Sequence, residues 1–274
     1  MSEARRAGAK PVPAATVLLV RDRVRQSGLE VFMVERHQET PFAGGATVFP
    51  GGKVHPSDAS PALRERCRGA QGLADAALTV RVAAIRESFE ECGILLARPH
   101  PEAAGDELLP AARLADLWKR YRSALERHEL SMEELVREEE LELACDLLVP
   151  FAHWITPEGM PKRFDTYFFI VRAPSDQVAV HDGHELVGAH WLTPAEALAD
   201  ADAGRRSIIF PTRMNLAKLG RSRSAEDAIA AARTHPVVTV LPRLDWGAKG
   251  AVLRIPAEAG YDIAEAPLDD VRRS

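Results

Sequence analysis

Two short apolar-rich runs, Ala15 to Val20 and Glu30 to Glu35, flank a polar turn at Gln26-Ser27-Gly28 and predict a pair of strands. Thr47 to Phe49 supplies a third. The period then changes. Val82, Ile85, Phe89 and Cys92 recur at spacings of three, four and three, the apolar stripe of a helix that faces a core. Gly93 follows as the left-handed residue at which such a helix stops. Ser60-Pro61 reads as a cap and first-turn proline of a short helix to about Arg68, before a turn from Gly69 to Gly72, and Asp75 is placed to cap the striped helix. Pro99 to Pro110 reads as a loop, and Ala112 to Arg127 and Met132 to Leu143 as helices. Tyr167 to Val171 has the apolar, aromatic character of a buried central strand, and Leu186 to Leu192 predicts a shorter one. Thr193-Pro194 opens a helix through Ala201, with further helices over Pro211 to Gly220 and Ser224 to Arg233. In the Pro-rich C-terminal stretch only Val237 to Leu241 and Ala251 to Ile255 suggest strands.

Strands interleaved with helices predict a layered α/β/α unit. At 274 residues with 46% hydrophobic content the chain can bury a substantial core, and a formal charge of −5 argues against a general nucleic-acid binder. Three cysteines without a CxxC pair fit a reducing cytoplasm. The apolar run Ala14 to Val20 is too short for a membrane span and ends in Arg21-Asp22-Arg23, so a soluble cytoplasmic protein is expected, without a nucleic-acid or membrane partner.

The candidate chemistry lies at the end of the striped helix, where Glu87, Glu90 and Glu91 project from one side. Like charges at these spacings cost about 0.2–0.5 kcal/mol per pair, and acids at the negative end of the helix dipole lose about 0.3–1 kcal/mol each. Arg86 offsets part of this, and a hard divalent ion would offset far more. The plainer alternative is a solvated acidic face. The core stripe opposite the acids and the strand-like Val48-Phe49-Pro50-Gly51-Gly52 upstream weigh toward a metal site for a phosphate-bearing substrate.

Together these segments resemble the Nudix box: a glycine, five residues, a glutamate, seven residues, then Arg-Glu-aliphatic-x-Glu-Glu-x-Gly-aliphatic. Gly52 fits the first glycine, and Arg86, Glu87, Glu90, Glu91, Gly93 and Ile94 fit the last part. Asp58 stands where the pattern has its first glutamate, and Ser88 where it has an aliphatic residue. Between Asp58 and Arg86 lie 27 residues in place of seven, so the box is split by an insertion of 20. A split box, with Phe49-Pro50-Gly51-Gly52-Lys53-Val54 and His153-Trp154-Ile155-Thr156-Pro157, is similar to the coenzyme A and acyl-CoA diphosphatase-like subgroup.

The resemblance implies an α+β fold, a Nudix-type sandwich with a mixed sheet and helical insertions. It divides the chain into a flexible N-terminus (1–13), a Nudix hydrolase domain (14–220) with inserts at about 59–78 and 99–150, and a C-terminal extension (221–274). It also implies metal-dependent hydrolysis of a diphosphate linkage in a nucleoside diphosphate derivative. A CoA-type substrate ranks ahead of NADH or ADP-ribose, and a non-catalytic nucleotide-binding module is the other reading. Glu87, Glu90 and Glu91 would hold Mg²⁺ or Mn²⁺, with a backbone carbonyl of the Gly51-Gly52 turn nearby. Glu90 and Glu185 are the candidate general bases, and Arg86, Glu90, Glu91 and Glu185 form the catalytic set. Arg36 and Arg163 are candidate phosphate contacts alongside Gly51 and Gly52. Trp154 and Phe164 could stack on a base or belong to the core. His181, His184 and His190 lack a specific metal-ligand spacing. A homodimer is compatible with all of this.

Overall fold

The computed structural model describes residues 9–24, 27–39, 43–100, 106–175, 186–247 and 250–267. The apolar runs of the sequence become the strands of one mixed eight-stranded sheet. Its strands are β1 (Val12–Asp22), β2 (Leu29–Arg36), β3 (Thr47–Val48), β4 (Gly51–Lys53), β7 (Val149–Ile155), β8 (Phe164–Arg172), β9 (Leu186–Leu192) and β10 (Thr239–Val240). The order is β10-β7-β8-β1-β2-β3, with β4 also on β1 and β9 on β2. β1 and β8 run parallel from Val12 opposite Phe164 to Val20 opposite Arg172. β7 and β10 are also parallel, and the other pairs of this sheet are antiparallel.

Alternate residues of β1 enter different cores, as the two-residue period of a strand requires. Ala15, Val17 and Leu19 join the layer containing α1 (Asp75–Cys92), α2 (Ala111–Glu126) and α3 (Met132–Glu138). Leu18 and Val20 join the layer containing α4 (Pro194–Asp202), α5 (Phe210–Leu219) and α6 (Ala225–Thr234). The sheet is thus covered on both faces, the α/β/α arrangement expected. Residues beyond 220 take part in it: β10 extends the sheet, and Leu253, Ile255 and Ala266 enter the second core. Leu253 and Ala266 come from a three-stranded sheet of β11 (Arg243–Gly247), β12 (Gly250–Arg254) and β13 (Glu265–Pro267), and Ile255 directly follows β12. Tyr261 anchors this segment, accepting from Trp154 Nε1 (2.8 Å) and donating to Asn215 Oδ1 (2.7 Å).

Four local expectations are corrected. Val12 and Pro13 belong to β1, since β8 gives them partners. The helix expected to reach Leu143 ends at Glu138, and Leu141–Leu143 is β6, paired with β5 (Ala97–Pro99). The left-handed backbone of Glu140, φ 51°, turns the chain there. Pro61–Arg66 is a 3₁₀ helix, and α1 has Ala74 at its N-cap, while Asp75 pairs with Arg64 at 2.6 Å. Gly69 and Gly72 do form the expected turn, with φ of 82° and 75°.

Candidate active site

The end of α1 meets the glycine turn that begins β4. Gly51 and Gly52 sit opposite Thr16 and Ala15 of β1, which fixes the turn against the sheet. A Cβ on Gly51 would lie 2.3 Å from the Ala15 carbonyl, and one on Gly52 would lie 2.5 Å from a Glu87 carboxylate oxygen. Only glycine lets sheet, turn and helix come this close. The Gly51 N–H donates to Glu91 Oε2 at 2.8 Å, so the turn meets the acids through an amide rather than through the expected carbonyl alone.

Arg86 is the hub of the cluster. Its Nε and Nη2 donate to the two oxygens of Asp58 at 2.9 and 3.0 Å. Its Nη1 donates to Glu87 and Glu90, each at 2.9 Å, and Nη2 also reaches the Lys53 carbonyl at 2.8 Å. Burial opposes the charged guanidinium, but Glu87, Asp58 and Glu90 outweigh it and hold Arg86 protonated. Asp58 accepts as well from the backbone N–H of His55 at 2.8 Å, capping the 3₁₀ turn Pro56–Ala59. The insertion therefore separates Asp58 from the box helix in sequence and returns it in space.

A solvated acidic face is excluded: Arg86, Glu90 and Glu91 are only 3%, 7% and 6% exposed. Glu90 is covered in part because α2 packs over the helix end, where Trp118 Nε1 donates to the Phe89 carbonyl and Arg122 Nε to that of Glu90. Burial, opposed by Arg86 and reinforced by Glu87 and Asp58, pushes the Glu90 carboxyl up to about 8. Its Oε1 is buried with no hydrogen-bond partner. Gly93 stops the helix as anticipated, with φ 68° and its N–H on the Phe89 carbonyl.

The other predicted residues divide. Arg36, at the end of β2, places Nη1 3.9 Å from Glu91 Oε1, and its buried Nε has no hydrogen-bond partner. Arg163 is not brought to the cluster. It donates to the carbonyls of Thr156 (3.0 Å) and Ala9 (3.1 Å), and the adjacent Phe164 faces Val12, four positions along β1 from Thr16. That places it roughly 13 Å along the strand from the glycine turn. Glu185, His181 and His184 lie outside the described residues, and His190 stands 3.9 Å from Glu35. Trp154 is a core residue at 4% exposure.

Sequence reasoning missed the Arg122 and Trp118 caps on the helix end. Their signal was the spacing of the two side chains on one face of α2.

Hard oxygen donors on one helix turn, a buried acceptor without a partner and a nearby arginine fit a divalent cation and a phosphate. They are not a finished cage: among the described residues no group of three or more His, Cys, Asp or Glu is gathered to hold an ion. Arg86 draws Glu87 and Glu90 to itself, while Gly51 takes an oxygen of Glu91. Mg²⁺ needs only one or two carboxylates when water and substrate phosphates complete its shell, so this arrangement remains compatible with it.

Known proteins resemble this chain in fold and in sequence. A crystal structure of a NUDIX hydrolase from Alicyclobacillus acidocaldarius superposes with a TM-score of 0.65 at 29% identity, covering 81% of this chain and 96% of that one. The acyl-coenzyme A diphosphatase NUDT19 of Xenopus laevis is 27% identical over 228 residues, 70% of this chain and 60% of that protein. Its Homo sapiens counterpart is 34% identical over 127 residues, 43% of this chain and 32% of that protein. The chain thus spans at most about 60% of the length of these curated relatives. The model of the NUDT19 Nudix domain matches residues 63–219, more than half of the sequence, and the chain belongs to that family.

Proposed function

We propose that the protein hydrolyses the diphosphate linkage of a CoA or acyl-CoA type nucleotide, by attack of water at phosphorus and with the help of Mg²⁺ or Mn²⁺. The observation that carries this reading is the Arg86 hub: it assembles Asp58, Glu87 and Glu90 beside Glu91 at the glycine turn. Membership of the NUDT19 Nudix domain family and two relatives named acyl-coenzyme A diphosphatase support the substrate class. The unit doing this would be residues 14–220, with inserts at about 59–78 and 99–150, together with Val12, Pro13 and the residues beyond 220 that share its sheet and core. A cytoplasmic setting belongs to this reading, on the cysteine usage of the sequence: three residues and no CxxC pair.

Glu87, Glu90 and Glu91 would hold the ion. When bound, such an ion supplies charge neutralisation for the diphosphate and a more acidic water. The chain's own residues do the rest. Arg86 holds Glu87 and Glu90 at fixed positions, and the Gly51 amide holds Glu91. Arg36, with an unsatisfied Nε, grips a phosphate oxygen. Burial pushes the Glu90 carboxyl up to about 8 in the ion-free cluster; an ion held there would draw it back to the charged form that can take a proton from water, which makes Glu90 the base within the cluster.

The test is a panel of CoA, acyl-CoA, NADH, ADP-ribose and dinucleoside polyphosphates with each metal, products being identified by mass. A phosphopantetheine, or its acyl form, and an adenosine bisphosphate from the CoA compounds, both lost on chelation and in Glu91→Gln, are expected. Turnover indifferent to chelator would overturn the metal role. Preferential NADH or ADP-ribose cleavage would reassign the substrate.

A further inference from the structure

Two buried cysteines lie outside the carboxylate cluster, and the fold brings them together from opposite sides of α1. Cys67 follows the 3₁₀ helix Pro61–Arg66 inside the box insertion, and Cys145 follows β6; they are 3% and 2% exposed. Their two chain segments run side by side. Cys67 forms a parallel bridge with Leu143, and the Arg68 N–H donates to the Leu143 carbonyl at 2.9 Å. At Gly69 the approach is closer still, since a Cβ there would stand 2.9 Å from Asp146 Cα. Leu143, the bridge partner of Cys67, stands two positions before Cys145, so the two cysteines lie on adjacent segments. The two thiols are near neighbours, that of Cys67 being the strongest influence on that of Cys145.

We propose that Cys67 and Cys145 are a redox pair that closes to an intramolecular disulfide in the presence of hydrogen peroxide, clamping the box insertion to the β6–β7 connection. Interaction with Cys67 and burial push the Cys145 thiol up, which keeps Cys145 protonated. Cys67 sulfur attacks one peroxide oxygen and the O–O bond breaks. Cys67 becomes a sulfenic acid, and the other oxygen leaves as water with the thiol proton. Cys145 sulfur then displaces the sulfenic hydroxyl, which leaves as a second water with the Cys145 proton. Two thiols lose two electrons and two protons, and one peroxide becomes two waters.

Burial makes this slow relative to a surface thiol, because cysteines only 2–3% exposed meet peroxide when the packing around them opens. It also shields the finished bond from reductant. The closed loop spans 78 positions and contains the whole of α1 with its carboxylates. A cross-link over so long a loop restricts the unfolded chain strongly.

The experiment incubates the full chain with hydrogen peroxide, quenches it, unfolds it in an alkylating maleimide, and maps peptides by mass. The expected product is 2 Da lighter before alkylation, with Cys67 and Cys145 cross-linked and Cys92 alkylated. Its thermal midpoint should rise by at least about 5 °C over reduced protein. Cys145→Ser abolishes the cross-link and Cys92→Ser preserves it. The proposal is overturned if all three cysteines alkylate after prolonged oxidation, if the bond involves Cys92, if sulfinic acid accumulates instead, or if the midpoint does not rise. The readout is on the wild-type chain and does not involve turnover, so its failure leaves the proposed hydrolase activity untouched.

Discussion

Replacing Asp58 with alanine tests whether the split box is reassembled through Arg86. The Asp58 side chain has no exposed surface and that of Arg86 only 4%, so solvent screens their contact weakly. The variant loses two charge-assisted hydrogen bonds, each about 1.5–3 kcal/mol, and the guanidinium keeps Glu87, Glu90 and the Lys53 carbonyl. Breaking a buried pair costs about 3–5 kcal/mol when the survivor is stranded, so the expected loss is about 3 kcal/mol, the low end. At about 2–4 °C per kcal/mol, the thermal midpoint falls by roughly 6–12 °C. Were Asp58 merely the cap of its 3₁₀ turn, the cost would be about 1 kcal/mol. Urea unfolding of Asp58→Ala, Arg86→Met and the double variant separates the two cases. A coupling of at least about 1.5 kcal/mol is expected from residues in direct contact. Additive single effects, or a loss below about 1 kcal/mol in Asp58→Ala, would refute the hub.

The glycine pair should split by phenotype. Gly51→Ala drives a Cβ onto the Ala15 carbonyl and should cost at least about 2 kcal/mol in chemical unfolding, whereas Gly52→Ala displaces the movable Glu87 carboxylate and should lower kcat by at least about tenfold with little loss of stability. The reverse pattern would disprove this reading of the turn. Tyr261→Phe leaves the buried Trp154 and Asn215 groups without their hydroxyl partner and should destabilise by about 2–4 kcal/mol in urea, a change under about 1 kcal/mol counting against the anchor. Ser88→Ala removes a buried hydroxyl that has no hydrogen-bond partner, so stability should hold or improve by up to about 1 kcal/mol; a loss above that would reveal a partner for Ser88.

The acid-bearing helix was legible because its period, its stop at Gly93 and its carboxylates at three- and four-residue spacing are local properties. The role of Asp58 was not, because its partner Arg86 is 28 positions away and the connecting 3₁₀ segments carry no signal of where they return. The same limit applies at Val12 and Pro13, which look like an unstructured leader until β8 supplies their ladder. Leu141-Glu142-Leu143 is too short for strand alternation to compete with the preceding helical pattern, and the turn at Glu140 uses no glycine to announce itself. Arg36 and Arg163 looked equivalent as strand-end cations. Tertiary placement alone separates them, leaving one beside Glu91 and committing the other to backbone carbonyls.

The parallel ladder between β1 and β8 also bears on how the chain is made. Val12 and Phe164 are partners 152 positions apart, so a ribosome must deliver most of the polypeptide before the middle of the sheet can zip. At about 5–20 residues per second, the apolar edge of the N-terminal strand would wait roughly 8–30 s for its mate. Slow emergence of the second half, or its truncation ahead of Phe164, should therefore make the nascent protein a client for chaperones and prone to aggregation.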